Sequence, residues 1–340
     1  MSSIEACSMQ RGLTWRSGRK GSWLLVCMVS LALSACGQGQ LSDQDKKILA
    51  QLRRNGISFD DKTARRDHGV LTIDQVSMIG SNGSTVHAKR LFIRQYDTEH
   101  PNPYVVDATL KGILVPLPDQ PIPTPASGSP EKNLSTTTLA KSPAFADVLE
   151  NGQLPLDGTM HYQYDEKSRR FHLEGFSLQS PKLFDLQLQL TMSDFDPVFF
   201  QQNKSMGLLK PTELLSQAAA QSKLDSASLA YTDHSLVDRT LRLFGEQQHV
   251  APQVVRDSLK GALSMAIMSS QVQGDSFMRD ALMAVSSFLE HPGILKLAAH
   301  PAEPVSMGTL QAQGEQWKRD PAALVQTLGL TLEALPPSSS

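Results

Sequence analysis

Cysteine is nearly absent: Cys7, Cys27 and Cys36 are the only thiols in 340 residues, and all three lie near the amino terminus. Everything beyond Cys36 therefore lacks disulfides, thiolate metal ligands and cysteine nucleophiles, and must be held by an apolar core. A chain of this length has ample residues to build one. Charge of a single sign is also missing. Lys and Arg number 32 against 34 Asp and Glu, a net charge of −2, with no basic tract and no basic–aromatic interleaving. No nucleic-acid partner is expected from such a pattern. After Leu33 no apolar run is long enough to span a bilayer. The recurrent catalytic signatures are absent too: there is no Gly-x-Ser-x-Gly elbow, His-Glu-x-x-His, phosphate-binding loop or dinucleotide fingerprint. A non-enzymatic protein without metal or cofactor is the expectation.

What is present begins at the amino terminus. Arg11, Arg16, Arg19 and Lys20 form a basic lead containing one acid, Glu5. The apolar run Trp23 to Leu33 follows, within the roughly 7–15 residues of a signal-peptide core. It ends in Leu33-Ser34-Ala35-Cys36. This order resembles the lipobox of bacterial lipoproteins, in which Leu33, Ser34 and Ala35 present the cysteine and Cys36 receives a diacylglycerol before residues 1–35 are removed. Met1 and Met9 are both possible starts, and either leaves the same mature chain. The resemblance implies a permanent tether, since each buried acyl methylene contributes about 0.8 kcal/mol. Gly37-Gln38 lacks the aspartate that retains well-known lipoproteins at the inner membrane. The outer membrane, facing the periplasm, is therefore expected, with inner-membrane retention and surface exposure as alternatives.

The rest divides by pattern. Residues 36–60 read as the tether and a short helix: Ser42 caps, Asp43 and Asp45 favour the positive end of the helix dipole, Ile48, Leu49 and Leu52 share a face, and Asn55-Gly56 stops it. Residues 61–115 form a β-rich unit, with strands at Val70–Ile79, Thr85–Tyr96 and Tyr104–Val115. Within Thr85–Tyr96 the alternation puts Val86, Ala88, Arg90 and Phe92 on one face and Leu91 and Ile93 on the other. Residues 116–143, rich in Pro, Ser and Thr, read as a disordered insertion. Residues 144–200 form a second β-rich unit: a hairpin, Gly158–Tyr164 with Arg170–Leu178, then the strict alternation of Leu186, Leu188, Leu190 and Met192. Shifted by about a hundred residues, Leu71, Ile73, Val76, Ser77 and Met78 overlie Phe171, Leu173, Phe176, Ser177 and Leu178. Val86 and Ala88 overlie Leu186 and Leu188, and Tyr96-Asp97 matches Phe195-Asp196 after a one-residue slip.

Residues 201–335 are a helical region with short strands at Leu224–Tyr231, Ile294–Ala298, Val305–Leu310 and near Leu330. Its helices are predicted at Ser235–Gln248, from Pro252, at Asp275–Glu290 and from Pro321. Residues 336–340 are a disordered tail. The fold class is α+β: antiparallel β-sheet units followed by a mostly helical C-terminal third.

Few residues invite chemistry. Asp233-His234-Ser235 has the residue types of a hydrolytic triad, but as neighbours, so Asp233 or Ser235 is better read as a helix cap. Ser129-Pro130-Glu131-Lys132 matches Ser-x-x-Lys inside the insertion, where no pocket would activate it. His161 and His172 could meet across the hairpin, without a carboxylate to complete a metal site. Asp233, Asp238 and Arg239 cluster at a helix entrance as a cap or salt bridge. Met265, Met268, Met278 and Met283 suit either an adaptable lipid groove or, the preferred reading, ordinary core packing.

The phrases Leu71-Thr72-Ile73-Asp74-Gln75-Val76 and Phe171-His172-Leu173-Glu174-Gly175-Phe176-Ser177-Leu178 resemble AsmA-type envelope proteins. That likeness implies an elongated sheet handling lipid and identifies no functional residue. The expectation is an outer-membrane-anchored, non-enzymatic lipoprotein that binds a lipid or an envelope protein partner. The alternatives are an envelope hydrolase whose site is invisible in sequence, and a structural scaffold. Changing Cys36→Ser is expected to release the protein from the membrane fraction and abolish fatty-acid labelling; retention of both would refute the anchor.

Overall fold

The computed structural model describes residues 41–79, 85–116, 142–196, 221–269, 275–314 and 320–336. Chain order is α1 (Asp43–Arg54), β1 (Ile57–Ser58), a 3-10 turn (Asp61–Thr63), β2 (Ala64–Asp67), β3 (Val70–Ile79), β4 (Thr85–Tyr96), β5 (Val105–Pro116), β6 (Gln153–Asp165), β7 (Arg170–Ser180), β8 (Phe184–Ser193) and β9 (Lys223–Asp233). Next come α2 (Leu236–Gln248), α3 (Pro252–Met268), α4 (Ser276–Glu290), β10 (Ile294–Ala299), β11 (Val305–Ser306), α5 (Met307–Ala312), α6 (Pro321–Leu328) and β12 (Leu330–Leu335). The fold is α+β, with one antiparallel sheet of 12 described strands and most of its helix in the C-terminal part.

The sheet runs β1-β3-β4-β5-β6-β7-β8-β9-β10-β12, with β2 added to β3 and β11 to β9. β5 pairs directly with β6, from Val105↔Gln163 to Pro116↔Gln153. The stretch between them is thus no break in the sheet, and the two β-rich units share one ladder. β9, β10 and β12 of the helical third extend that ladder.

Several boundaries differ from expectation. β6 begins at Gln153, well before Gly158. Val305–Leu310 is strand only at Val305–Ser306 and turns helical from Met307. Ser142 and Ala144 are buried, so the packed body resumes before residue 143. The remainder of the insertion lies outside the described residues, as do residues 1–40 with the lipobox Leu33, Ser34, Ala35 and Cys36.

The faces of β4 also need correcting. Ala88 joins Leu91 and Ile93 in the core, whereas Arg90 points the other way to reach Asp74. The cause is a shared irregularity. Apolar positions step by three rather than two from Ile73 to Val76, from Leu91 to Ala88 and from Leu110 to Ile113. Gln75 and Gly112 take positive φ there, +56° and +64°. At Gly112 a Cβ would fall 2.7 Å from the Lys89 side chain, so glycine is needed. Asp157 closes the kink by accepting from the Gly112 N–H at 2.8 Å.

The hundred-residue repeat has a structural counterpart. Met78↔Val86 and Val76↔Ala88 correspond to Leu178↔Leu186 and Phe176↔Leu188. Both hairpins then kink, at Gln75 and at Glu174-Gly175. β4 takes three residues from Ala88 to Leu91 where β8 takes two from Leu188 to Leu190, which is the one-residue slip.

Helix α1 lies over the β3–β5 end, burying Ile48, Leu49 and Leu52 on Leu71, Ile73, Leu91 and Ile93. A fully buried carboxylate pins it. Asp45 Oδ2 accepts from Ser42 N at 2.9 Å and Ser42 Oγ at 2.7 Å, closing a capping box. Oδ1 accepts from Arg66 Nε of β2 at 2.7 Å. Burial disfavours the charged form, but the Arg66 and Ser42 bonds outweigh it and hold the carboxyl below its ordinary range. A depressed folded-state value gives stability that is full above the unfolded pKa of about 3.9 and is lost as pH falls through the folded value. Asp45→Ala should cost about 3 kcal/mol in urea unfolding near neutral pH, because Arg66 is left half-buried without its partner. The gap to wild type should narrow below about pH 4; an unchanged midpoint at neutral pH would refute the pin.

Candidate functional site

Pairing register puts one chemistry on each side of the sheet. One ladder row runs Leu71, Ile93, Ala108, Met160, Phe176, Leu188, Leu229, Leu297, Leu332, from β3 to β12, and every member is apolar. The row beside it, Ile73, Leu91, Leu110, Gly158, Leu178, Leu186, Tyr231, Leu295, Ala334, is apolar throughout as well. So is a third, Tyr96, Val106, Tyr162, Leu173, Leu190, Ala227, Ala299, Leu330. The opposite face carries Thr72, Phe92, Thr109, Thr159, Ser177, Gln187, Ala230, Lys296 and Glu333 in register. An antiparallel sheet with one oily and one wet face buries the oily one against a second layer.

That second layer covers the two ends unequally. Under α1, Leu71 and Ile93 are 0 % and 1 % exposed. Along the same row exposure rises to 38 % at Met160 and 37 % at both Leu229 and Leu297. One flank of this window is closed by segment 142–149 and α2, which bury Phe145, Val148, Leu183 and Leu243. Phe288 of α4 meets the Tyr231 ring edge-on at 5.8 Å. The other flank is closed by aromatic packing, with Phe171 stacked on Phe195 at 4.9 Å and Tyr104 edge-on to Tyr164 at 4.9 Å.

The two phenols at the margins stay neutral. Burial raises the Tyr231 phenol well above its ordinary value, helped by the Asp233 carboxylate, to which it donates at 2.8 Å. Burial likewise raises Tyr162, whose hydroxyl donates to Pro103 O. The window is thus an open apolar strip with hydrogen-bonded margins. Its chemistry suits hydrocarbon.

The sequence candidates scatter. Asp233 Oδ1 accepts from Val237 N at 3.0 Å and caps α2, whereas Ser235 makes no side-chain cap bond and donates to Lys182 O. His234 instead faces Asp185, Nε2 to Oδ2 3.1 Å, so no triad forms. The Asp233–Asp238–Arg239 cluster is also dispersed: Arg239 pairs with Asp147, and Asp238 with Arg256. His161 lies opposite Gly175 and His172 opposite Gln163, so the two are not direct cross-strand partners. His161 faces Glu174 at 3.5 Å, and His172 borders a shallow cleft of about 320 Å³ on the wet face with Glu174 and His300. Among the described residues no group of three or more His, Cys, Asp or Glu could hold a metal ion. Ser129 to Lys132 lie outside the described residues.

The methionines overturn the preferred reading. Met265, Met268, Met278 and Met283 are 70 %, 75 %, 39 % and 54 % exposed, not packed in a core. Leu259, one turn beyond the buried Val255, is exposed as well. Among the described residues α3 packs against α2 and α4, and these side chains lie outside those contacts.

A protein-family model described as "Uncharacterized protein" matches residues 177–335. That span runs from β7 through β12 and includes Leu188, Leu229, Leu297 and Leu332 of the open row. No curated protein matches the chain. No helix of the described residues is long and apolar enough to cross a membrane.

If the window is a surface and not a core, polar substitution there is cheap. Leu229→Gln should change unfolding free energy by less than about 0.5 kcal/mol, whereas Ile93→Ala beneath α1 should lose about 2–5 kcal/mol. Equal losses in urea titrations would show that the whole face is packed.

Proposed function

We propose that the protein is a non-enzymatic, lipid-anchored envelope lipoprotein, held at the outer membrane and facing the periplasm, that carries a lipid acyl chain on the oily face of its sheet. The observation that carries this reading is the all-apolar row whose exposure rises from 1 % at Ile93 to 37 % at Leu229 and Leu297. A soluble domain does not gain by leaving a contiguous apolar strip to water, so such a strip marks a binding surface. From Met160 on β6 to Leu297 on β10 the row crosses four interstrand steps of about 4.8 Å, a strip of about 19 Å. One leaflet of a bilayer is about 15 Å deep in hydrocarbon, so the strip is long enough for a full acyl chain. Burying about fifteen methylenes at about 0.8 kcal/mol each offers about 12 kcal/mol, and association losses of about 4 kcal/mol leave about 8 kcal/mol, an affinity near the micromolar range.

The lipobox sequence supports the location, and the AsmA-like strand phrases now fall on β3 and β7, two contributors to that row. The tether on Cys36 would place the carrier where its ligand is concentrated. Nothing in the reading requires a reaction, and the dispersed Asp233, His234 and Ser235 offer none.

Titration with cis-parinaric acid tests the proposal, since its emission rises in an apolar site. Wild type is expected to saturate near the micromolar range, and Met160→Gln with Leu229→Gln to bind about tenfold more weakly, a difference of about 1.4 kcal/mol. Absence of saturable binding to wild type, or equal affinity in the variant, would sink it.

A further inference from the structure

The wet face is not built uniformly. Toward β3 to β6 its charges are tightly paired: Arg90 with Asp74 at 2.6 Å, and Lys111 with Asp157 and Lys89 with Glu150, both at 2.8 Å. Toward β7 to β10 it opens into the cleft of about 320 Å³. Register explains the depression. Two shifts in pairing flank it, one leaving Glu174 and Gly175 over on β7 and one leaving Asp225 over on β9. Between them Gln189 pairs across to Ser228 and on to Ala298, and Thr191 pairs to Ser226. Ser226, Ser228 and Ala298 are short, so the floor is low, with His172 and Glu174 on one side and His300 on the other. The two walls are three interstrand steps apart, about 14 Å. The polar groups of the cleft are loosely tied. Ser228 Oγ donates to Gln189 Oε1, and Thr191 Oγ1 meets His172 Nδ1, each at 3.4 Å, near the limit of a hydrogen bond. Glu174 comes only within 3.5 Å of His161, whose buried Nε2 has no hydrogen-bond partner among the described residues. Donors and acceptors held this way exchange partners at little cost.

We propose that this cleft binds a short stretch of a neutral sugar chain. Its hydroxyls, amide, imidazoles and carboxylate offer donors and acceptors side by side, and each hydroxyl of a sugar is both. Other ligand classes fit less well. No Lys or Arg lines the cleft, and Glu174 would repel a phosphate or a carboxylate. An acyl chain would strip these groups of water without replacing its hydrogen bonds. A peptide finds no open strand edge, since β8 and β9 are paired on both sides, and no Phe, Tyr or Trp in the lining. The cleft lies at the low end of the about 300–1,000 Å³ of small-molecule sites, and its bonds are exchanged for bonds to water. Affinity near the millimolar range is therefore expected. A chain tethered beside a polymeric sugar would offset this weakness through high effective concentration. The cleft lies on the opposite face from the oily row, so the inference does not depend on acyl binding.

The test uses the full chain, expressed and processed in cells and purified in a detergent without a sugar headgroup. Modification of its histidines by diethyl pyrocarbonate is followed by peptide mass spectrometry. The added probes are N-acetylglucosamine trimer, maltotriose, trialanine or inorganic phosphate, each at about 10 mM, above the expected dissociation constant. With at least one sugar, His172 and His300 are expected to react about fivefold more slowly, while the exposed His68 and His249 keep their rates. Protection by the trimer would assign an amino-sugar polymer, and protection by maltotriose a hexose chain. Unchanged rates with both sugars, equal slowing at His68, or protection by trialanine or phosphate in place of sugar would overturn the inference. In a second readout, Gln189→Ala with Ser228→Ala should weaken saturation-transfer NMR signals of the bound sugar about tenfold, with an unchanged urea midpoint. Undiminished signals would also overturn it. Failure of parinaric acid binding leaves both readouts intact, so the two proposals fail separately.

Discussion

Register is the constraint on which the molecule depends. Each strand alternates its side chains, and a slip of one residue anywhere in the ladder would move an entire oily set to the wet face. Nine strands nonetheless keep Leu71 through Leu332 in one row. They do so across the kinks at Gln75, Arg94, Gly112 and Glu174, where extra residues are absorbed in concert by neighbouring strands. Bulges of this kind bend and twist a sheet, and here they do so without mixing its two chemistries.

A sheet so divided needs a second layer, and the described helices cover its oily surface unevenly. α1 and its Asp45–Arg66 pin cover one end, and α2 and α4 shelter the Tyr231 margin. Between them Met160, Leu229 and Leu297 stay open. On a chain whose leader resembles that of a lipoprotein, we read this open row as a seat for lipid.

How much of this was legible beforehand varies by residue. The Ser42 cap, the hairpin of β3 and β4, the alternation of β8 and the Pro252 helix start follow from local chemistry and agree with the structure, as does the α+β class; that Asp45 reaches back to close a capping box is seen only in the structure. The faces of β4 were not, because strict alternation hides the extra residue at Lys89, and only Gly112 on the next strand hints at it. The oily window was out of reach for a different reason: Leu188, Leu229 and Leu297 become neighbours only through pairing across long sequence gaps. The methionines were misjudged because an apolar residue on a helix carries no mark of whether a second helix exists to cover it. Asp238 and Arg239 looked like one cluster from their adjacency, yet their partners, Arg256 and Asp147, come from two other segments. The hundred-residue repeat was a sound signal, since the register of its two hairpins agrees pair by pair.

The most direct measurement is photocrosslinking in living cells with a fatty acid that carries a diazirine near its methyl end, followed by mapping of the labelled peptides. Adducts are expected on β6 to β10 at Met160, Phe176, Leu188, Leu229 or Leu297. Adducts confined to the wet face, or none on the protein at all, would contradict an acyl chain lying across the sheet.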